Sequence, residues 1–208
     1  MHKVISANVY FATIVALGGF IFGFDASVIS GVVGFVATEF QLNEWQQGFV
    51  VSSPTLGAVL GSFFAGPCAD LYGRKKVLIS IALLYVVSAI FSAFAPSFAV
   101  LVSARFIGGI AFASLVLAPM YIAEISPSKL RGKMISINQF NIVVGFSAAY
   151  FANYYLLQLS GGASAIAQTL GITENVWRWM LGIEIIPAII WFALLFTIPK
   201  SPRWLVMK

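Results

Sequence analysis

The sequence predicts an all-α membrane protein with six transmembrane helices, on the strength of two observations. First, 60% of its 208 residues are hydrophobic and only 9% are charged, whereas a soluble domain carries about 25% charged residues. Second, most charges fall in short breaks between apolar stretches, and a helix needs ~20 such residues to cross a bilayer. A soluble fold is therefore excluded, and the net charge of +5 is better explained by membrane orientation than by nucleic-acid binding.

The breaks between charges define the six spans in order. The first apolar stretch contains only Asp25, and the second contains no charge. The charge-free stretch over 77–104 is too long for one span, and the turn signal Ala95-Pro96-Ser97 divides it. The fourth span then holds Arg105, the fifth is uncharged, and the sixth holds only Glu184 after its first residue, Arg178. The predicted spans lie near 8–34, 46–69, 77–94, 98–123, 134–157 and 178–198.

The lysines and arginines predict the orientation of the chain. Ten of the twelve lie in one set of breaks, which the positive-inside rule assigns to the cytoplasm. These ten are Lys3, Arg74, Lys75, Lys76, Lys129, Arg131, Lys133, Lys200, Arg203 and Lys208. We therefore expect a multi-pass protein of the cell (inner) membrane with both termini in the cytoplasm.

Residues for enzyme chemistry are scarce. His2 is the only histidine and Cys68 the only cysteine, so a Ser/His or Cys/His catalytic pair and a HExxH metal site have nothing to build on. We expect a protein that is not an enzyme and that holds no metal or organic cofactor.

Small residues predict where helices pack closely. Gly19, Gly23 and Gly31 share one face of the first span, and Gly57 and Gly61 share a face of the second. Such faces let helix backbones approach one another, so we assign these glycines to packing and not to chemistry.

Three ionisable residues lie inside spans: Asp25, Arg105 and Glu184. Each costs ~2.5–3.5 kcal/mol near the bilayer centre on insertion scales, so pairing or contact with a water-filled cavity must offset that cost. All three are expected at similar depth in the outer half of the membrane, where they can form one cluster. Two interpretations remain open on these residues alone: a salt bridge that ties helices together, or a proton relay.

Six segments, in order along the chain, resemble the signature motifs of one family. They read GGFIFGFD at 18–25, GPCADLYGRKK at 66–76, RFIGG at 105–109, PMYIAEISP at 119–127, NQF at 138–140 and PKSPRWL at 199–205. The sequence is thereby similar to the sugar porter family of the major facilitator superfamily, and within it to bacterial xylose–proton symporters. The resemblance implies the N-terminal six-helix bundle over 1–208, built as two three-helix inverted repeats, with the C-terminal half of the transporter absent.

The resemblance also implies roles for the residues inside the membrane. Asp25 matches the proton-accepting carboxylate, Arg105 its pairing cation, and Glu184 an acid near that pair. Gln139 matches a sugar-binding glutamine of the fifth helix, and Phe22 an aromatic residue that lines the sugar pocket.

A further set matches a charge network that latches the two halves of such transporters on the cytoplasmic side. It comprises Asp70, Gly73, Arg74, Glu124, Arg131 and Arg203.

Three residues depart from the family pattern. Leu71 replaces a commonly basic residue. Lys200 replaces a glutamate beside Arg203, which should weaken the latch or pair Arg203 with Glu124 instead. Phe146 replaces a second glutamine, which argues against carrying over xylose itself as the substrate.

These inferences predict proton-coupled symport of a monosaccharide by alternating access, with the proton as coupling ion and no other cofactor. The expected partners are the sugar, the lipid bilayer and the missing half, and not nucleic acid. Three alternatives stay open: a sugar facilitator with a structural charge cluster, a non-transporting truncated or sensor half, and a homodimer that builds a pore from two copies.

Overall fold

The computed structural model describes the backbone of residues 2–162 and 165–206, and the side chains of 8–162 and 167–206. All regular secondary structure in the described backbone is helical, and no strand is present there. The helices are α1 (His2–Glu39), α2 (Glu44–Tyr72), α3 (Arg74–Ala93), α4 (Phe98–Ala111), α5 (Ser114–Ile125), α6 (Arg131–Gly161), α7 (Ala165–Thr169), α8 (Val176–Gly182), α9 (Ile185–Leu195) and α10 (Pro202–Val206).

Six segments in the described part are long and apolar enough to cross a membrane, which confirms the predicted fold class. They are α1 from Asn8, α2, α3, α4 with α5, α6, and α8 with α9. Most helices run beyond the predicted spans: α1 continues to Glu39, and α6 begins at Arg131. Charge marks the edge of the hydrocarbon layer, but a helix continues into the headgroup region because its backbone hydrogen bonds are internal.

Two short turns join the first three spans. Asn43 caps α2 by a capping box, in which its side chain accepts from the Gln46 backbone and the Gln46 side chain accepts from the Asn43 backbone. Gly73 joins α2 to α3 with φ at +89°, a conformation that residues with a side chain rarely adopt. The Trp204 ring also packs over Gly73, where a Cβ atom would lie only 3.1 Å from it.

Two helix pairs with the same pattern form the centre of the bundle. Helix α1 packs along α6, and α2 packs along α4, so the first helix of each three-helix set contacts the second helix of the other set. Glycine permits both contacts: a Cβ atom at Gly145 would collide with the backbone oxygen of Phe20, and one at Gly109 with that of Pro54. This reciprocal pairing is what two inverted three-helix repeats produce.

The fourth and sixth spans are broken inside the membrane. Between α4 and α5 the backbone bonds shorten to three-residue spacing, with Leu115 N–H donating to Phe112 and Val116 to Ala113. Between α8 and α9, Pro187 has no N–H for the oxygen of Ile183, which instead accepts a long 3.4 Å bond from Ile186. Such interruptions inside a helix often mark functional hinges.

The apolar core divides into two clusters, one toward each end of the bundle. Along α1, Ile21 belongs to the first cluster and Val28 and Ile29 belong to the second, each about one turn from Asp25. Along the sixth span, Leu181 belongs to one cluster and Ala188 to the other. The three charged residues predicted to lie inside the membrane occupy the layer between the two clusters.

Candidate functional site

The centre of the site is an ion pair between the first and fourth spans. Asp25 Oδ1 pairs with Arg105 Nη1, and Arg105 Nη2 donates to the backbone oxygen of Asp25 at 3.1 Å. Asp25 is 1% exposed and Arg105 is 2% exposed. The structure therefore brings together the acid and the cation that the sequence placed at one depth, and both contacts of the arginine go to one residue of α1.

Glu184 lies in the same layer but makes no direct bond to that pair. It occupies the break between α8 and α9 and is 3% exposed. Its carboxylate has electrostatic interactions with both Asp25 and Arg105, yet it accepts no hydrogen bond from the side chains that the structure describes. The buried Nε of Arg105 likewise has no acceptor in the described part of the chain. The Nε–H group of Arg105 and the carboxylate of Glu184 therefore have no side-chain hydrogen-bond partner among the described residues.

Small and hydroxyl-bearing side chains surround the ion pair. A Cβ atom at Gly108 would lie 2.5 Å from Ser88 Oγ and 3.1 Å from Asp25 Oδ2, so the absence of a side chain lets both polar groups lie close to α4. Ser88 donates to the backbone oxygen of Ala104 at 2.8 Å. The Tyr85 hydroxyl bonds Ser114 Oγ at 3.1 Å and interacts electrostatically with both buried acids. Sequence reasoning missed these neighbours, since an isolated Ser or Tyr in a span carries no signal of its own.

The two predicted sugar-contact residues lie on adjoining helices. Gln139 is exposed on α6, and Phe146 follows two turns later on the same face. Phe22 is half-buried on α1 and packs edge-on against Phe146 at 6.2 Å and against Phe112 at 4.7 Å. A polar amide and an aromatic wall therefore border one surface of the bundle. Phe146, which replaces the expected glutamine, makes that wall more apolar.

At the end of the bundle with the α2–α3 turn, the α5–α6 connection and residues 199–206, which we term the basic end, charges form a second network. Arg74 Nη1 lies 2.8 Å from Asp70 Oδ1, and Arg74 Nε donates to Glu124 Oε1 at 3.1 Å. Ser201 Oγ bonds the other oxygen of Glu124, and Trp204 Nε1 donates to the backbone oxygen of Asp70 at 2.9 Å. This network joins α2, α3, α5 and the segment after α9.

Two predicted members of that network do not join it. Arg131 and Arg203 are exposed and form no ion pair with any residue that the structure describes. Glu124 is bonded to Arg74 and Ser201, so the expected pairing of Arg203 with Glu124 is absent. The exposed Leu71 takes no part in it.

Other polar contacts were not predicted. At the opposite end, Arg178 Nη2 lies 3.1 Å from Glu39 Oε1, and the Trp177 indole donates to Glu39 Oε2 at 2.5 Å. On α6, Asn141 donates to the oxygen of Ala16 and Asn153 to that of Val28, both at 3.0 Å. Polar side chains within a span often bond across helices, so the two asparagines could have been identified from the sequence.

Two spans interrupted near a buried ion pair are features of secondary transporters, in which ion and substrate sites are typically built on interrupted helices. Residues 11–208 match the model described as "Sugar (and other) transporter". The chain therefore belongs to that family, which confirms the resemblance found in its motifs.

Relatives and solved structures agree with this assignment. A D-xylose transporter of Levilactobacillus brevis is 41% identical, with 99% of this chain and 42% of the relative aligned. A galactose–proton symporter of Escherichia coli is 40% identical over 93% of this chain and 39% of its own length. The proton:xylose symporter XylE, solved with 6-bromo-6-deoxy-D-glucose, matches at a TM-score of 0.85 and 34% identity over 97% of this chain and 47% of that one. The chain thus spans about half the length of the relatives it matches.

Proposed function

We propose that this chain forms the N-terminal half of a proton-coupled monosaccharide symporter of the cell (inner) membrane. The observation that carries the proposal is the Asp25–Arg105 ion pair, buried between two apolar clusters with Glu184 in the same layer. A charged side chain is costly in the membrane interior, and those that persist there commonly mark ion pathways and proton relays.

The ion pair can couple a proton to a change in helix packing. While Asp25 is ionised, it holds Arg105 and thereby ties α1 to α4. Protonation of Asp25 removes the charge that attracts the guanidinium, so the tie between the two helices weakens. The interruptions at Phe112 and Ile183 give the fourth and sixth spans a place to bend close to this layer.

The sugar contacts of this half are assigned to the surface bordered by Gln139 and Phe22. A glutamine side chain donates and accepts hydrogen bonds, and sugar hydroxyls do both. The ring of Phe22, held by Phe112 and Phe146, presents an apolar wall for the C–H groups of the sugar. A second six-helix half would supply the remaining contacts and close the cavity.

In this proposal the basic end faces the cytoplasm, because ten of the twelve Lys and Arg residues are on that side. Both termini are then cytoplasmic. The network of Arg74, Asp70 and Glu124 holds that end of the half together for contact with the second half. The proton is the only coupling ion, and no metal or organic cofactor takes part.

The deciding experiment measures proton movement when sugar is added to proteoliposomes that contain the whole transporter. We expect proton uptake together with sugar entry, for at least one sugar in a panel of pentoses and hexoses. The names of the relatives include D-xylose and galactose, so these two sugars lead the panel.

The second candidate function is that of a sugar facilitator, in which the Asp25–Arg105 pair only ties helices together. A facilitator would give sugar entry without proton movement.

Replacing Gln139 with Ala is expected to raise the KM for sugar about fivefold to tenfold, because one hydrogen bond contributes ~1 kcal/mol. The thermal midpoint should stay unchanged, since Gln139 is exposed and bonds no described residue. Initial rates of uptake at several sugar concentrations measure the effect. Gln158→Ala is the matched control on the same helix, where the glutamine is also exposed. An unchanged KM for Gln139→Ala would contradict the assignment of Gln139 to the sugar.

A further inference from the structure

A small cavity of about 60 Å³ opens at the basic end, between the α2–α3 turn and the segment after α9. Two aromatic side chains and four cationic ones contribute to its walls. The lining residues are Tyr72, Gly73, Arg74, Lys75, Lys76, Lys200, Ser201 and Trp204.

The cations of this cavity exceed the acids available to them. Arg74 is satisfied by Asp70, Glu124 and the backbone oxygen of Ala69. Lys75 donates only to an uncharged acceptor, the backbone oxygen of Phe196, at 2.7 Å. The ammonium groups of Lys76 and Lys200 have no partner among the residues that the structure describes.

The two nearby acids cannot neutralise these lysines as the cavity stands. Asp70 and Glu124 both contact Arg74, and Glu124 also accepts from Ser201. In addition, α3 begins with Arg74, Lys75 and Lys76 and has no acid in its first turn, although the positive end of a helix dipole favours anions. Three lysines and a helix N-terminus therefore border one cavity, and none of the three lysines pairs with an acid among the described residues.

We propose that this cavity binds a phosphate group, carried either by an anionic lipid headgroup or by a soluble phosphate. Lysine ammonium groups bind phosphate as point charges, and basic pockets between transmembrane helices hold lipid headgroups. Tyr72 and Trp204 suit a site at the membrane surface, because amphipathic rings concentrate at the level of the headgroups.

The proposed anion would bridge two parts of the chain. Lys76 belongs to α3, whereas Lys200 lies in the segment after α9, where the family motif carries a glutamate. An acid at position 200 could pair directly with the lysines of α3; a lysine there repels them. A phosphate bound between Lys76 and Lys200 replaces that lost attraction and holds the segment after α9 against the α2–α3 turn.

The first test needs no mutation and is independent of transport. The protein purified in detergent is acetylated with an amine-reactive ester, and the modification of each lysine is measured by mass spectrometry. Inorganic phosphate or short-chain phosphatidylglycerol should protect Lys76 and Lys200, while short-chain phosphatidylcholine and chloride at equal ionic strength should not. Lys129 and Lys133, exposed at the same end but outside the cavity, should be modified equally in every condition.

The second test compares Lys200→Glu with Lys129→Glu, which changes the charge of the same end equally but outside the cavity. The ligand concentration that gives half of the maximal rise in thermal midpoint should increase roughly tenfold or more for Lys200→Glu, as expected for a lost charge-assisted bond. It should stay unchanged for Lys129→Glu. Lys200→Gln provides the same comparison if the glutamate variant fails to fold.

The results separate the two sources and can also overturn the site. Protection and stabilisation by phosphatidylglycerol but not by inorganic phosphate identify a lipid headgroup, and the reverse result identifies a soluble phosphate. Protection by neither ligand overturns the proposal. An equal loss of affinity in Lys200→Glu and Lys129→Glu also overturns it, because the binding would then reflect only the general charge of the surface.

Discussion

Replacing Asp25 with Asn is expected to abolish the proton-driven accumulation of sugar and to leave sugar exchange intact. Moving one charge across the membrane provides ~2.3 kcal/mol per 100 mV, which supports about 50-fold accumulation of a co-transported sugar. Asparagine cannot release a proton and is close to protonated aspartate in shape, so it uncouples sugar movement from the proton gradient. Uptake into energised vesicles should then stop when the inner and outer sugar concentrations are equal.

The controls for this variant separate coupling from folding. Glu174→Gln makes the same acid-to-amide change at an exposed site outside the buried layer, and should accumulate sugar normally. Exchange of labelled sugar without a gradient should persist in Asp25→Asn, which would show that the variant is folded and binds sugar. Accumulation that continues in Asp25→Asn under a proton gradient would mean that the Asp25–Arg105 pair is a structural bridge.

The spans could be predicted from the sequence because hydropathy and charge report directly on the membrane. Each of the six spans contains a stretch that only a bilayer or a large core would bury, and the breaks between the spans contain most of the charges. The break at Ile183 was also accessible in principle, because Pro187 cannot donate to its carbonyl. The break at Phe112 could not be predicted in this way, because residues 110–115 contain no proline and no polar residue before Ser114.

The expected depth of each residue in the membrane predicted which charged residues share a layer, but not which of them bond to one another. Asp25 and Arg105 were expected at one depth, and they do pair. Glu184 was expected at the same depth and shares the layer, but it bonds neither partner. The difference arises because a contact also depends on how each helix is rotated about its axis, which packing against neighbouring helices decides. The role of this layer in proton coupling remains a prediction.

Several polar contacts at the ends of the helices were not predicted from the sequence. Glu39 lies at the end of α1 and Arg178 lies in α8, and the structure joins them in a cluster with Trp177. Ser201 had no signal of its own, yet it is buried and bonds Glu124. These contacts join residues that are 77 to 139 positions apart in the sequence, and no local pattern specifies such a pairing.

The glycine faces were predicted from spacing, but only the structure shows which helix each one meets. Gly23 lies against the backbone oxygen of Ile142, and Gly145 lies against that of Phe20. These two contacts lie on opposite helices of the same pair and hold α1 and α6 at backbone distance. Because the obstructing atoms are backbone, a rotamer change in a neighbouring side chain cannot make room for an added methyl group.

Replacing Gly145 with Ala is therefore expected to reduce the amount of folded protein severely and to lower the thermal midpoint of what remains. Overpacking a well-packed core costs about 1–3 kcal/mol and occasionally more; here the added methyl group must push apart the two longest spans of the bundle. Gly132→Ala is the matched control on α6, since a Cβ atom at Gly132 meets nothing within 4 Å. That change should be neutral or stabilising, because alanine favours helix more than glycine does. Thermal unfolding of both variants in the same detergent, followed by tryptophan fluorescence, measures the difference. Equal midpoints for Gly145→Ala and Gly132→Ala would mean that α1 and α6 can separate without loss, and the close glycine contact would then not stabilise the bundle.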